Sequence, residues 1–92
     1  MSKEAIRSNR APEAIGPYSQ AVGNGSLVFL SGQIGLDPRS GELVGGGIAA
    51  EAEQVLRNLE AVLGAAALSF ADVVRVTIYL IDLADFASIN EI

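Results

Sequence analysis

The feature that most constrains this chain is an apolar seam at helical spacing. Between Ile48 and Ala67 the apolar residues recur at Val55, Leu56, Leu59, Val62, Leu63 and Ala66. That is the i, i+3, i+4, i+7 pattern of one helix face. Glu53 and Arg57 fall at i, i+4 on a more polar face and can form a supporting pair. Burying each large residue of the seam contributes about 1.5–3 kcal/mol before conformational entropy is set against it. A helix over Ile48–Ala67 therefore needs a sheet to lie on.

Strand signals stand on both sides of that helix. Upstream, Glu4 to Ser8 reads as a short edge strand, and Pro12 and Pro17 then interrupt regular structure. Ser19 to Val22 can pair with the next run through a turn at Gly23-Asn24-Gly25, where Asn-Gly readily takes positive φ. Leu27 to Gly35 reads as a strand, with Gly32 marking a bulge or a place of close backbone approach. Asp37-Pro38-Arg39-Ser40-Gly41 reads as a turn, and the glycines from Gly41 to Gly47 as a loop within one domain.

Downstream, Ser69-Phe70-Ala71-Asp72 resembles a capping turn with Asp in place of Glu. Val73 to Ile81 alternates, with Val74, Val76, Ile78 and Leu80 on one purely aliphatic face and Arg75, Thr77 and Tyr79 on the other. The first face is predicted to be core, and the second an interface or a wet face. Strand, helix, strand implies a right-handed βαβ unit, and the Asn-Gly hairpin makes the predicted sheet mixed. Asp82 can cap a second helix through Asp85, Phe86, Ile89 and Asn90. No C-terminal Gly, basic last turn or cap precedes Ile92, so the chain reads as truncated inside that helix.

Composition removes many kinds of chemistry. Ninety-two residues, half of them hydrophobic, fit a single packed domain over 1–92. With no His and no Cys there is no histidine base, thiol nucleophile, disulfide or zinc finger. A net charge of −5 disfavours nucleic acid as a partner. Lys3, Arg7 and Arg10 read as a solvated N-terminal arm. No apolar run reaches the length of a membrane span, and Met1 to Ala5 lacks the apolar core of a secretory signal. A cytoplasmic protein is the expectation.

Generic motifs are few. Gly45-Gly46-Gly47 precedes a helix but lacks both the Lys-Ser/Thr of a phosphate loop and a GxGxxG pattern. Asp72, Asp82 and Asp85 suit helix N-termini better than acid–base work. Two places are less easily explained as packing, a turn tyrosine and a strand bulge being their plain structural readings. Gly16-Pro17-Tyr18-Ser19 sets an aromatic hydroxyl after a rigid turn, and Ser31-Gly32-Gln33 sets a small polar break into an apolar strand. A ligand could meet the main chain at Gly32 and hydrogen-bond Ser31 or neighbouring amides.

These segments resemble the RidA family (reactive intermediate deaminase, also called YjgF). The resemblance is carried by the run Ala14 to Ala21, by Phe29 to Gly35, by Asp37-Pro38 with Gly41-Glu42, and by Gln54 to Leu59. It continues through Val76 to Leu80 and Asp85 to Glu91, so it covers nearly the whole chain. It implies a chorismate-mutase-like α/β (α+β) fold with helices on one face of a mixed sheet, the C-terminal strands being missing here. It also implies homotrimers with clefts between subunits. The implied reaction hydrolyses 2-imino acids such as 2-iminobutanoate and 2-iminopropanoate to 2-keto acids and ammonia, with no cofactor and no metal.

By this resemblance Tyr18 matches the site tyrosine, Ser31 and Gly32 the strand lining the cleft, and Asn90 a site-adjacent asparagine. The family's carboxylate-binding Arg and late Glu are implied to follow Ile92. None of Arg7, Arg10, Arg39, Arg57 or Arg75 stands in that Arg's motif, so no catalytic residue is assigned. The expected partner is a small imino or keto acid, and the 92 residues alone are expected to be weak or inactive. The alternative reading is a non-catalytic trimeric ligand-binding or regulatory module. RNA binding or cleavage ranks last, given the charge and the absent His.

Overall fold

Three short strands form one sheet: β1 (Lys3–Ile6), β2 (Ala21–Asn24) and β3 (Leu27–Leu30). The computed structural model describes residues 3–14, 18–79, 83–85 and 87. The sheet order is β1-β2-β3, and both pairings are antiparallel. Ile6 faces Ala21 across the first, and Ala21 faces Leu30 across the second. With the helix packed on it, this sheet makes an α/β fold, as the hydropathy patterns require.

The β2–β3 hairpin turns one residue later than the Asn-Gly signal suggests. Asn24 pairs with Leu27, so Gly25 and Ser26 are the two loop residues. Gly25 takes φ 65, whereas Ser26 is not among the positive-φ residues. Positive φ at the first loop position alone is the pattern of a type II′ turn, while type I′ needs it at both. The expected N-terminal edge strand forms, shifted from Glu4–Ser8 to Lys3–Ile6. Lys3 to Ile6 is a paired strand, and Arg7 forms an exposed ion pair with Glu13 at 3.3 Å.

The long helix, α1, runs over Ile48–Ala65. Its seam meets the sheet where predicted: Ala11, Ala21 and Val62 are buried together, with Ile6, Val28, Leu30 and Ala61 packed around them. Arg57 and Glu53 pair at 2.7 Å on the outer face. The helix ends two residues before the expected Ala67. Leu68 N–H donates to Leu63 O at 2.8 Å and Ala67 N–H to Gly64 O at 3.0 Å. Those two bonds make a Schellman stop, and Ala67 holds its left-handed position at φ 61. The 69–72 turn is the capping box its sequence suggested, closing the short 3-10 helix Phe70–Asp72.

Two strand expectations need correction. β3 ends at Leu30 instead of reaching Gly35. Beyond it the chain leaves the sheet for the helix: Asn58 Nδ2 donates to Ile34 O at 3.2 Å and to Leu36 O at 3.0 Å. The expected strand from Val73 to Ile81 is absent among the described residues, since 73–79 belong to no strand. Its aliphatic face is not core either, for Val74 is 92% exposed and Val76 and Ile78 are exposed too. Alternation tells which face would be buried, but burial and pairing need a neighbour, and the described sheet stops at β3. Among the described residues no parallel βαβ pairing is present, and the described sheet is wholly antiparallel. Of the second helix, the structure describes a 3-10 turn over Leu83–Asp85. Asp82, Phe86, Ile89 and Asn90 lie outside the described residues.

Candidate functional site

The two sequence segments singled out for ligand chemistry meet at the end of β3. Ser31 N–H donates to Gln20 O at 2.9 Å, prolonging the β2–β3 ladder by one step. The Ser31 hydroxyl donates to Ser19 O. These two bonds place residues 18–20 alongside residues 31–32. Both donors of Ser31 are thereby occupied, so this hydroxyl offers a ligand its lone pairs and not its proton.

Gly32 is exposed, and a Cβ there would meet nothing within 4 Å. Its N–H donates to no acceptor among the described residues. With no acceptor among the described residues, this amide can donate to a carboxylate or to water. Tyr18 stands 49% exposed on the neighbouring segment. The segments that carry the expected site residues Tyr18, Ser31 and Gly32 thus run side by side, joined at Ser19, Gln20 and Ser31. Asn90 lies outside the described residues.

Sequence reasoning missed what holds this arrangement. Among the described residues the buried polar ones are Gln20 and Asn58, at 4% and 0% exposure. Gln20 Oε1 accepts Ser8 N–H at 2.6 Å, and its Nε2 donates to Pro12 O at 2.7 Å and Ser8 O at 3.2 Å. Asn58 accepts Gln54 Nε2 at 2.9 Å while donating to the two carbonyls that flank Gly35. A signal for Asn58 was present: it lies at i+3 from Val55 and i−4 from Val62, a polar residue on the buried stripe. Gln20 carried no comparable periodic signal.

Two open hollows lie elsewhere, along α1. One of about 170 Å³ is lined by Val44, Ala50, Glu53, Gln54 and Arg57. The other, of about 620 Å³, lies between Arg10, Arg57, Glu60 and Phe70. Neither reaches Tyr18, Ser31 or Gly32. Among the described residues no group of three or more acidic side chains is placed to hold a metal ion. No described helix is long and apolar enough to cross a membrane.

Comparisons with known proteins agree on one relationship. The family model described as Endoribonuclease L-PSP matches residues 8–92. Protein DfrA of Myxococcus xanthus is 56% identical over 94 residues, covering 100% of this chain and 72% of its own. A mouse (Mus musculus) protein named 2-iminobutanoate/2-iminopropanoate deaminase is 50% identical over 90 residues, covering 98% of this chain and 67% of its own. Among solved structures, E. coli TdcF with bound serine superimposes with a TM-score of 0.90 at 45% identity, covering 96% of this chain and 68% of that one.

Proposed function

The chain belongs to the RidA/YjgF family, described as Endoribonuclease L-PSP, and from that premise we propose that it serves the hydrolysis of 2-imino acids to 2-keto acids and ammonia. The observation that carries this reading is the pair of bonds from Ser31 to Ser19 O and Gln20 O, beside the unclaimed amide of Gly32. A 2-imino acid has an electrophilic carbon next to a carboxylate. Hydrolysis needs the carboxylate held, a water placed against the imine carbon, and protons delivered to the departing nitrogen. Water adds to the carbon, the C–N bond breaks, and nitrogen leaves as ammonia.

In this reading Gly32 N–H is a donor for the substrate carboxylate, and Tyr18 sets one wall of the cleft. Ser31 holds the two segments together, and Asn90 is proposed as a further site residue on the family resemblance alone. The residues that bind the carboxylate through a guanidinium and hold the water match no position among these 92. The serine bound to TdcF supports an amino-acid-sized ligand. A chain of net charge −5 without His supports the deaminase over RNA cleavage.

The cleft is proposed to be completed by a second copy within a homotrimer. Leu27 and Phe29 are exposed on the sheet face opposite α1, and Val74, Val76 and Ile78 are exposed as well. Apolar surface of this extent favours a partner.

Ammonia release from freshly generated 2-iminobutanoate tests the reading, measured for the protein of the whole reading frame. It is expected to accelerate hydrolysis at least about tenfold. No acceleration by the whole-frame protein would refute the deaminase. Binding of 2-oxobutanoate without turnover would favour the non-catalytic module.

A further inference from the structure

We propose that Gln20 is a positioning residue: its buried carboxamide ties the stretch from Ser8 to Pro12 to Gln20 and thereby sets the place of Tyr18. The bonds converge on one side chain. Gln20 Oε1 takes the Ser8 N–H at 2.6 Å. Its Nε2 reaches Pro12 O at 2.7 Å, Ser8 O at 3.2 Å and, more weakly, Ala11 O at 3.4 Å. The main chain of the same residue accepts Ser31 N–H at 2.9 Å. One residue thus ties the arm that precedes Tyr18 to the strand end that bears Gly32. Tyr18 lies only two positions before it.

The chemistry admits few substitutes. The side chain must accept from an N–H and donate to carbonyls at once, which a primary amide does and a carboxylate or hydrocarbon does not. The amide's orientation follows from its partners, because a flipped group would set NH₂ against Ser8 N–H and oxygen against Pro12 O. A buried position, at 4% exposure, gives no water to replace a lost bond. The Ser31 hydroxyl, bonded to Ser19 O, adds a second tie one residue nearer to Tyr18.

The proposal rests on the reading of Tyr18 as a site residue, and its test separates the two. The chain has no Trp and two Tyr, so Tyr79→Phe leaves Tyr18 as the sole emitter. In that background, Gln20→Met keeps the side-chain volume and removes the bonds. The expected result is a loss of at least about half of the anisotropy difference between native and urea-unfolded Tyr18, with the far-UV signal of α1 retained. Affinity for 2-oxobutanoate should fall at least about tenfold, in line with one lost positioning interaction. A folded Gln20→Met protein with unchanged Tyr18 anisotropy overturns the proposal. Loosened Tyr18 with unchanged ligand affinity leaves Gln20 as the positioner and overturns the placement of Tyr18 in the site.

Should Gln20→Met fail to fold, amide exchange in the unaltered protein decides. Ser8 N–H, held by Gln20 Oε1, should exchange at least about tenfold more slowly than Asn9 N–H. Equal rates overturn the proposal.

Discussion

Gly35 lies against the backbone of Glu51: a Cβ added to Gly35 would stand 3.1 Å from both the Cα and the carbonyl oxygen of Glu51. The neighbour is helix backbone, which cannot rotate aside. Gly35→Ala is therefore expected to cost about 1–3 kcal/mol, the usual range for overpacking. Urea unfolding followed by circular dichroism measures it. Gly32→Ala makes a control for side-chain bulk, since open space surrounds that position.

Asn58 holds the carbonyls on both sides of that glycine. Asn58→Ala should destabilise the fold by about 2–3 kcal/mol, because two carbonyls lose their donors in a buried site. Asn58→Asp adds a pH signature. An unfolded Asp titrates at about 3.9, and the folded one, facing two carbonyls, should titrate higher. The folded state then binds more protons in that window, so stability should fall as pH rises through it. Unfolding midpoints of the Asp variant from pH 3 to 7, set against the unaltered protein, check the sign.

Ala67 occupies a left-handed position at φ 61 that an L residue adopts at a cost. Ala67→Gly removes that cost and loosens the unfolded chain slightly. The net expectation is a gain of about 0.5–1 kcal/mol, read as a higher melting temperature.

Phe29 is 61% exposed at the centre of β3, on the face away from α1. If a second copy covers it, Phe29→Glu should weaken self-association at least about tenfold. Native mass spectrometry across a concentration series would show the shift toward monomer.

The parts of the fold legible in the sequence were those whose signals are local. The seam from Val55 to Ala66 announced α1, and Ser69 with Asp72 announced the capping box that the structure forms. Asp37 announced its turn, where its carboxylate accepts Arg39 N–H at 2.7 Å. Features that depend on partners distant in sequence were harder to read. Nothing in the alternation of Val74, Val76 and Ile78 reveals whether a strand lies beside them, and in the described structure none does. Past the early end of β3, the carbonyl of Ile34 is taken by Asn58, twenty-four positions away. The site divides the same way. Tyr18, Ser31 and Gly32 stood out as polar or small breaks, whereas Gln20, which ties their segments together, showed its role only through contacts twelve positions away.

The most direct test of the central claim is an amide chemical-shift map of the ¹⁵N-labelled chain titrated with 2-oxobutanoate, the keto-acid product of the proposed reaction. Shifts are expected to concentrate at Gly32 and Gln33, with smaller ones at Ser19 and Gln20. Shifts confined to the hollow between Arg10, Arg57 and Phe70, or none at millimolar ligand, would contradict it.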